Sequence, residues 1–537
     1  SGGASQAGAG TFGGAAKGGA STGGAAPTGG SAPVIPAEIR FEPPASAFEA
    51  STEVRLSALE PDAEIHYTVD GSLPNRDSPS YEGPIRIESS TRVRASAYLS
   101  GVDQPIAVLG ATYLKVEEDA RSFSTHLPIV VIHTFGSGQL DAMGMEHVPA
   151  TLSVFAPNPD GKSWLGAAEL DTPIGIHVRG QTSRSFPKKQ YAVELRQEDS
   201  DDDRALSLLG MPADADWVLS DPVIMDRSLI RNAVSFEISN RIGRYAPRTR
   251  FAEAFLVDDG GSVTLAKYLG FYTVIEKIKR GRERVDIDKL EESETAPPDV
   301  TGGYIVSIDK GDPSFGIEGQ PFQYVYPDRD VMNADARAPQ REYIQGYLNA
   351  NAAALLAADF TNPETGSHYS EYIDVDSFVD HNLINALTKN VDGLRISTFF
   401  YKDREQKLVA GPVWDFDRSL GTPYDARATD ARGWYLEGSD GTDYFRQGPW
   451  LRLFEDPSFR ARYKARFLSL LGSTLSPEEL ADLVDEIASR VGDAAQRDYD
   501  RWDLQPESGS HAAEITILKN FLLERAEWIH GELEAWE

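Results

Sequence analysis

An α+β protein with strands early and helices late is predicted by three features of the sequence. Short alternating apolar runs dominate the first part, helix-period segments dominate beyond about Pro449, and residues 1–34 are almost entirely Gly, Ala, Ser and Thr. The expected order is a disordered tether over 1–34, a small all-β sandwich over 35–116, and an α+β domain over 124–537 with a helical carboxyl-terminal lobe.

The tether follows from composition: apart from Phe12 and Val34 it holds little apolar side chain, so burial cannot offset the entropy of ordering it. Gly19-Ala20-Ser21-Thr22-Gly23 spells a nucleophile elbow but lacks the strand and helix that such a serine needs. From about Pro36 to Leu114, runs such as Val54-Arg55-Leu56, Ile65-His66-Tyr67-Thr68-Val69 and Thr91–Tyr98 alternate between turn residues, which predicts the sandwich, with Asp70-Gly71 as a hairpin turn. The string from Ile65 to Pro74, followed by Tyr81, Pro84 and Ile85, resembles the chitobiase carboxyl-terminal-like module. That resemblance implies a spacer or carbohydrate-facing appendage, with carbohydrate a possible partner and no catalytic residue.

Beyond Ser124, Leu127–Ile132, Ile174–Val178 and Gln190–Leu195 read as strands, and a helix is expected to open at Asp226 as N-cap and stop near Gly243. In the helical lobe Phe454, Phe459, Tyr463, Phe467 and Leu470 are predicted to be buried.

Several functions are excluded by composition. The 537 residues include 52 Lys plus Arg against 83 Asp plus Glu, and the net charge of −31 repels nucleic acid, anionic lipid and distant polyphosphate. A nucleotide would have to be captured by local groups. With no cysteine there is no disulfide, thiolate nucleophile or Cys-zinc site. No apolar run approaches the roughly 18 residues of a membrane span. The opening Ser1-Gly2-Gly3 is expected to belong to a processed form, and the tether resembles those of bacterial surface lipoproteins. The expected location is therefore secreted or cell-surface, with membrane contact only through an amino-terminal lipid anchor.

Three stretches carry candidate chemistry. In Val178–Tyr191, Gly180 allows close backbone approach, hydroxyls such as that of Ser183 can donate to phosphate oxygens, and Lys188 or Lys189 can neutralise charge; by itself the stretch is also a polar hairpin with basic decoration. Tyr268–Glu276 is an apolar strand leading into the densest basic cluster of the chain. Asn390-Val391-Asp392 is followed, after strand-like Thr398–Tyr401 and Leu408–Ala410, by Trp414-Asp415-Phe416-Asp417-Arg418-Ser419-Leu420-Gly421, which places two acidic points in the order of a catalytic loop and a metal loop.

Together these stretches resemble the CotH family of atypical protein kinases, with further matches at Leu208–Pro212, Asp216–Leu219 and Asp226–Asn232. The resemblance implies an atypical protein-kinase-like fold and ATP with Mg²⁺ or Mn²⁺ as cofactors. Arg179, Gly180 and Ser183 would belong to a phosphate-covering loop. Lys189, preferred to Lys188 because it is nearer the following strand, would be the nucleotide lysine, positioned by Glu237. Glu276 would mark the adenine-contacting hinge. Asp392 would face the acceptor hydroxyl and Asp415 would bind the cation, with Asp417 assisting or pairing with Arg418. Gly302-Gly303-Tyr304-Ile305 and Asp309-Lys310 continue the pattern and are given structural roles. Ser397 stands where ordinary kinases carry an Asn for a second cation, which Asn390 could replace only if turned inward.

The expected activity is ATP-dependent phosphorylation of a protein hydroxyl. The alternatives are a structural or adhesive surface protein with a kinase-like fold, or a carbohydrate-binding surface protein. Other chemistries lack their signatures. Gly161-Lys162-Ser163 has Ala156 where a Walker loop opens with Gly. The nine histidines have no metalloprotease spacing, and His133 and His177 read as packed strand residues. Glu198–Asp203 lacks the turn Gly and distal Glu of a calcium loop and reads as a solvated connection. Glycoside hydrolysis is not selected by any carboxylate spacing.

Overall fold

The computed structural model describes residues 39–536, apart from 139, 141–143, 145 and 439. The expected tether lies outside the described residues.

Two sheets form the sandwich. Ile39–Glu42, Thr52–Ala58 and Ile85–Ile87 make one; Ser46–Phe48, Ala107–Lys115, Thr91–Tyr98 and Glu64–Thr68 make the other. Period-two alternation sends Val54, Leu56, Ile85, Val93 and Tyr113 into a common core. Asp70-Gly71 is a turn, with Gly71 at φ +83° and the Ser72 amide donating to Asp70 Oδ1, and the chain returns antiparallel to Glu64–Thr68 only at the His66↔Ser80 bridge. The full ladder of Glu64–Thr68 is with Thr91–Tyr98.

The sandwich is no loose appendage. Arg92 is buried and donates to Asp171 Oδ2 at 2.9 Å and Glu198 Oε2 at 2.5 Å, while the Thr112 amide donates to the same Asp171 oxygen. Glu198 is only 6% exposed. The acidic run expected to be a solvated connection thus supplies, at its first residue, one half of an interdomain ion cluster. Its partner lies 106 positions away in the chain and was invisible to local patterning.

Seven strands then close into a barrel, in the order Val148–Phe155, Leu170–Arg179, Gln190–Leu195, Asp216–Ser220, Tyr268–Glu276, Thr249–Val257 and Ile129–His133. All neighbours are antiparallel except the last pair, whose parallel register Glu253↔Ile129 to Val257↔His133 completes the ring. Alternate residues such as Val130, Leu152, Ile176, Val193 and Trp217 fill its interior. Helix Arg231–Arg241 begins later than expected because Leu229 adopts φ +65°. Asp226 still caps it, reaching across that break to accept from the Arg231 amide at 2.9 Å. Gly243, at φ +89°, follows the helix end as expected.

A second, five-stranded sheet runs Phe315–Ile317, Gln320–Tyr326, Tyr304–Ile308, Thr398–Lys402, Leu408–Ala410. Helices Val375–Thr388, Pro457–Leu471, Pro477–Ser489 and His511–Ala535 pack into the helical lobe, whose core includes Phe459, Tyr463, Phe467 and Leu470 as predicted. Phe454 is partly buried against that core. Helix Ala494–Trp502 returns to strand Tyr268–Glu276, where Arg501 and Trp502 donate to the carbonyls of Tyr268 and Leu269.

Candidate functional site

A cleft of about 630 Å³ opens between the barrel and the second sheet. The barrel contributes the turn after strand Leu170–Arg179. Gly180 stands there at φ +97°, and a Cβ at this position would collide with Ser183 Oγ, so only glycine permits the turn. Ser183 opens a short 3₁₀ turn whose tip faces the cleft. Arg179 lies over the Trp414 ring, 5.5 Å from its centroid, and has no ion-pair partner among the described residues. Burial lowers its pKa, against the opposing pull of Asp415, Asp309 and Asp417.

The opposite wall carries the two aspartates singled out by the sequence, and they do come together in one cleft. Helix Val375–Thr388 ends at Lys389 in the left-handed conformation, which turns the chain into the Asn390–Asp392 loop. Asn390 faces inward, but as scaffold. Its amide donates to the Asp415 carbonyl at 3.1 Å and its oxygen accepts from the Asp392 amide at 3.1 Å, tying the two loops together. Asp392 is held by Arg395 at 2.7 Å and by Arg418.

Asp415 has φ +64°, and its Oδ2 accepts from Ser397 Oγ at 3.2 Å. Burial, then repulsion from Asp392 and Asp309, pushes its carboxyl up to about 6. Asp417 is driven well above the usual carboxylate range by burial and then by Asp415. Its Oδ1 accepts from Asn232 Nδ2 at 2.5 Å, and Asn232 Oδ1 accepts from the Phe416 amide. Asp417 therefore pairs with Asn232, not with Arg418. Repulsion among these buried carboxylates adds to burial in raising their pKa values, and a divalent ion held there would relieve it. Among the described residues no group of three or more His, Asp or Glu forms a ready-made metal cage. One or two carboxylates suit Mg²⁺ bound jointly with phosphate oxygens, so the donor set fits such an ion.

Three assignments are corrected. Lys189 does not reach the cleft: its Nζ donates to the carbonyls of Arg184 and Phe186, closing its own loop. Lys188 is no substitute, because it is wholly buried against Asp498 and Asp221. Glu237 pairs with Arg241 at 3.4 Å, does not line the cleft, and does not position Lys189. The Glu276 side chain turns away from the cleft and accepts from Tyr245 Oη, the Arg248 amide and Arg248 Nη1. Only its neighbours Ile275 and Lys277 line the cleft, so a hinge here acts through backbone.

Asp309, expected to be structural, and Asn232, expected only as part of a matching stretch, both belong to the site. Asp309 follows strand Tyr304–Ile308 and lines the cleft, where burial raises its pKa. The signal available was its place at the end of a wholly buried strand, the position from which sheets present side chains to ligands.

A family model described as CotH kinase protein matches residues 176–529, and one described as Chitobiase/beta-hexosaminidase C-terminal domain matches residues 43–108. No curated protein matches the chain. The first model covers more than half of the sequence, and the protein belongs to the CotH kinase family.

Proposed function

We propose that the protein transfers the terminal phosphoryl group of ATP to a protein hydroxyl with the help of Mg²⁺ or Mn²⁺. The observation that carries this reading is that Asp392, fixed by two arginines, shares one cleft with the buried, mutually repelling carboxylates of Asp415 and Asp417. Metal-bound ATP supplies the electrophilic phosphorus and part of the charge neutralisation. Asp392 orients an acceptor hydroxyl and takes its proton, a role for which Arg395 and Arg418 fix the carboxylate. Asp415 and Asp417 offer hard oxygen ligands. The turn at Gly180 brings backbone close to the phosphates, and Arg179 provides a guanidinium with no carboxylate of its own.

A nucleotide-binding surface protein without turnover is the second reading, favoured by one feature: Ser397 has only a hydroxyl, which donates to Asp415, and the Asn390 amide oxygen already accepts from the Asp392 amide, so neither supplies a free amide oxygen to a second cation. Calorimetric titration of ATP with and without Mn²⁺, followed by transfer of labelled phosphate to protein, separates the two. Metal-dependent binding with transfer supports the kinase, binding without transfer supports the second reading, and no binding defeats both.

A further inference from the structure

Neither lysine of the barrel loop is available to phosphate, yet a triphosphate in an acidic protein needs cations close at hand. Lys277 lines the cleft but lies 2.9 Å from Asp216. Lys310 differs. It enters from the second sheet, in the turn after strand Tyr304–Ile308, is exposed, and has no ion-pair partner among the described residues. Its Nζ lies 3.4 Å from Thr182 Oγ1, at the tip of the turn that Gly180 opens. The lysine backbone is fixed: its amide donates to Asp309 Oδ1 at 2.7 Å and its carbonyl accepts from Gln323 Nε2 at 3.0 Å. A cationic side chain on an anchored backbone thus bridges the two walls of the cleft that Asp415 also lines.

We infer that Lys310 is the phosphate-binding lysine of the site, delivered across the cleft from the sheet, and that together with Arg179 it brackets the phosphates of a bound nucleotide. This rests on the phosphoryl-transfer reading and adds the residue which that reading lacks. Two further features agree with it. The charge of Lys310 pulls the raised pKa values of Asp415 and Asp309 downward, so its ammonium acts at the aspartates as well as at Thr182. Gly311, at φ +109°, packs near Gln181, so the sheet turn and the barrel turn meet as the two lips of one opening.

The test is to titrate MgATP, MgADP and adenosine into the full chain and into the Lys310→Ala, Lys310→Arg and Lys189→Ala variants. Lys310→Ala should weaken ATP on the order of 10- to 100-fold and ADP less, with adenosine unchanged, because only the phosphates meet the ammonium. Lys310→Arg should recover part of the loss, and Lys189→Ala should bind ATP like the parent. Parental ATP affinity in Lys310→Ala overturns the assignment and leaves the kinase reading standing. Equal loss of adenosine and ATP also overturns it, by showing a structural role. A parent that binds none of the three ligands overturns the phosphoryl-transfer reading and this assignment with it.

Discussion

Arg418 grips both carboxylate oxygens of Asp392, its Nη1 lying 3.1 Å from Oδ1 and 3.2 Å from Oδ2. Arg418 is itself anchored to Asp425 and Asp440, and Arg427 bonds the same two carboxylates. Asp392 thus sits at the end of a braced ion network, and its orientation does not depend on a bound ligand. Asp392→Asn keeps the shape and removes the base. Turnover should fall on the order of 10²- to 10⁴-fold, while ATP affinity stays near the parental value. Single-turnover labelling beside calorimetry checks both parts. An unchanged rate would move the base elsewhere.

Asp415 should fail differently. Its replacement by Asn removes an anionic oxygen ligand, so the melting shift produced by Mn²⁺ alone should shrink and metal-dependent ATP affinity should fall together with transfer. Thermal melts of parent and variant with Mn²⁺ and without it read the first effect in the absence of nucleotide. A full Mn²⁺ shift in Asp415→Asn would place the metal on other residues.

The pairing of these aspartates was legible because its signal is local: two acidic loops around the strands Thr398–Lys402 and Leu408–Ala410. The barrel strand Gln190–Leu195 was legible for the same reason, its apolar residues alternating at period two. What stayed hidden depends on partners far apart in sequence. Lys188 meets Asp498 across 310 positions and Arg92 meets Glu198 across 106, so neither burial could be read from neighbours. Lys189 is the nearer of the two lysines to the following strand, yet the Arg184 and Phe186 carbonyls sit within reach of its ammonium, a feature of the loop's curl that side-chain identity does not encode.

Stability should vary with pH in a direction set by Asp415. Its folded value of about 6 lies above the ordinary 3.8, so the native state binds more protons than the unfolded chain between those limits. The stabilising contribution is full below about 3.8 and is lost as pH rises through about 6. Asp498, raised to about 6 by burial against the pull of Lys188, acts in the same sense. Without metal, the midpoint should therefore decline from pH 5 to pH 7.5. Asp415→Asn should flatten that decline by about 1.4 kcal/mol between pH 5 and pH 7.5, the remainder of the about 3 kcal/mol full effect having been lost below pH 5. The Mn²⁺ shift should run the other way, larger at pH 7.5 because protons no longer compete for the carboxylate. Parallel pH profiles for parent and variant would remove Asp415 as the titrating group.

The two lysines of the barrel loop should separate stability from binding. Lys188 is fully buried, with Nζ 2.8 Å from Asp498, 3.1 Å from Asp221, within hydrogen-bond reach of the Phe271 carbonyl and 4.6 Å from the centre of the Tyr272 ring. Asp498 Oδ1 also accepts from the Phe271 amide at 2.9 Å, so one ion cluster ties the loop, the barrel and helix Ala494–Trp502 together. Lys188→Ala leaves two buried carboxylates facing each other uncompensated, a loss of about 3 to 5 kcal/mol. Lys189→Ala removes only hydrogen bonds to carbonyls, each contributing about 1 kcal/mol. The midpoint should therefore drop far more for Lys188→Ala than for Lys189→Ala, and ATP affinity measured on folded protein should change little in either. Combining Lys188→Met with Asp498→Asn should restore part of the midpoint by removing one of the orphaned charges. If Lys188→Ala instead kept its midpoint and lost ATP, the buried lysine would return to the nucleotide, and the cluster with Asp498 would have to open on binding.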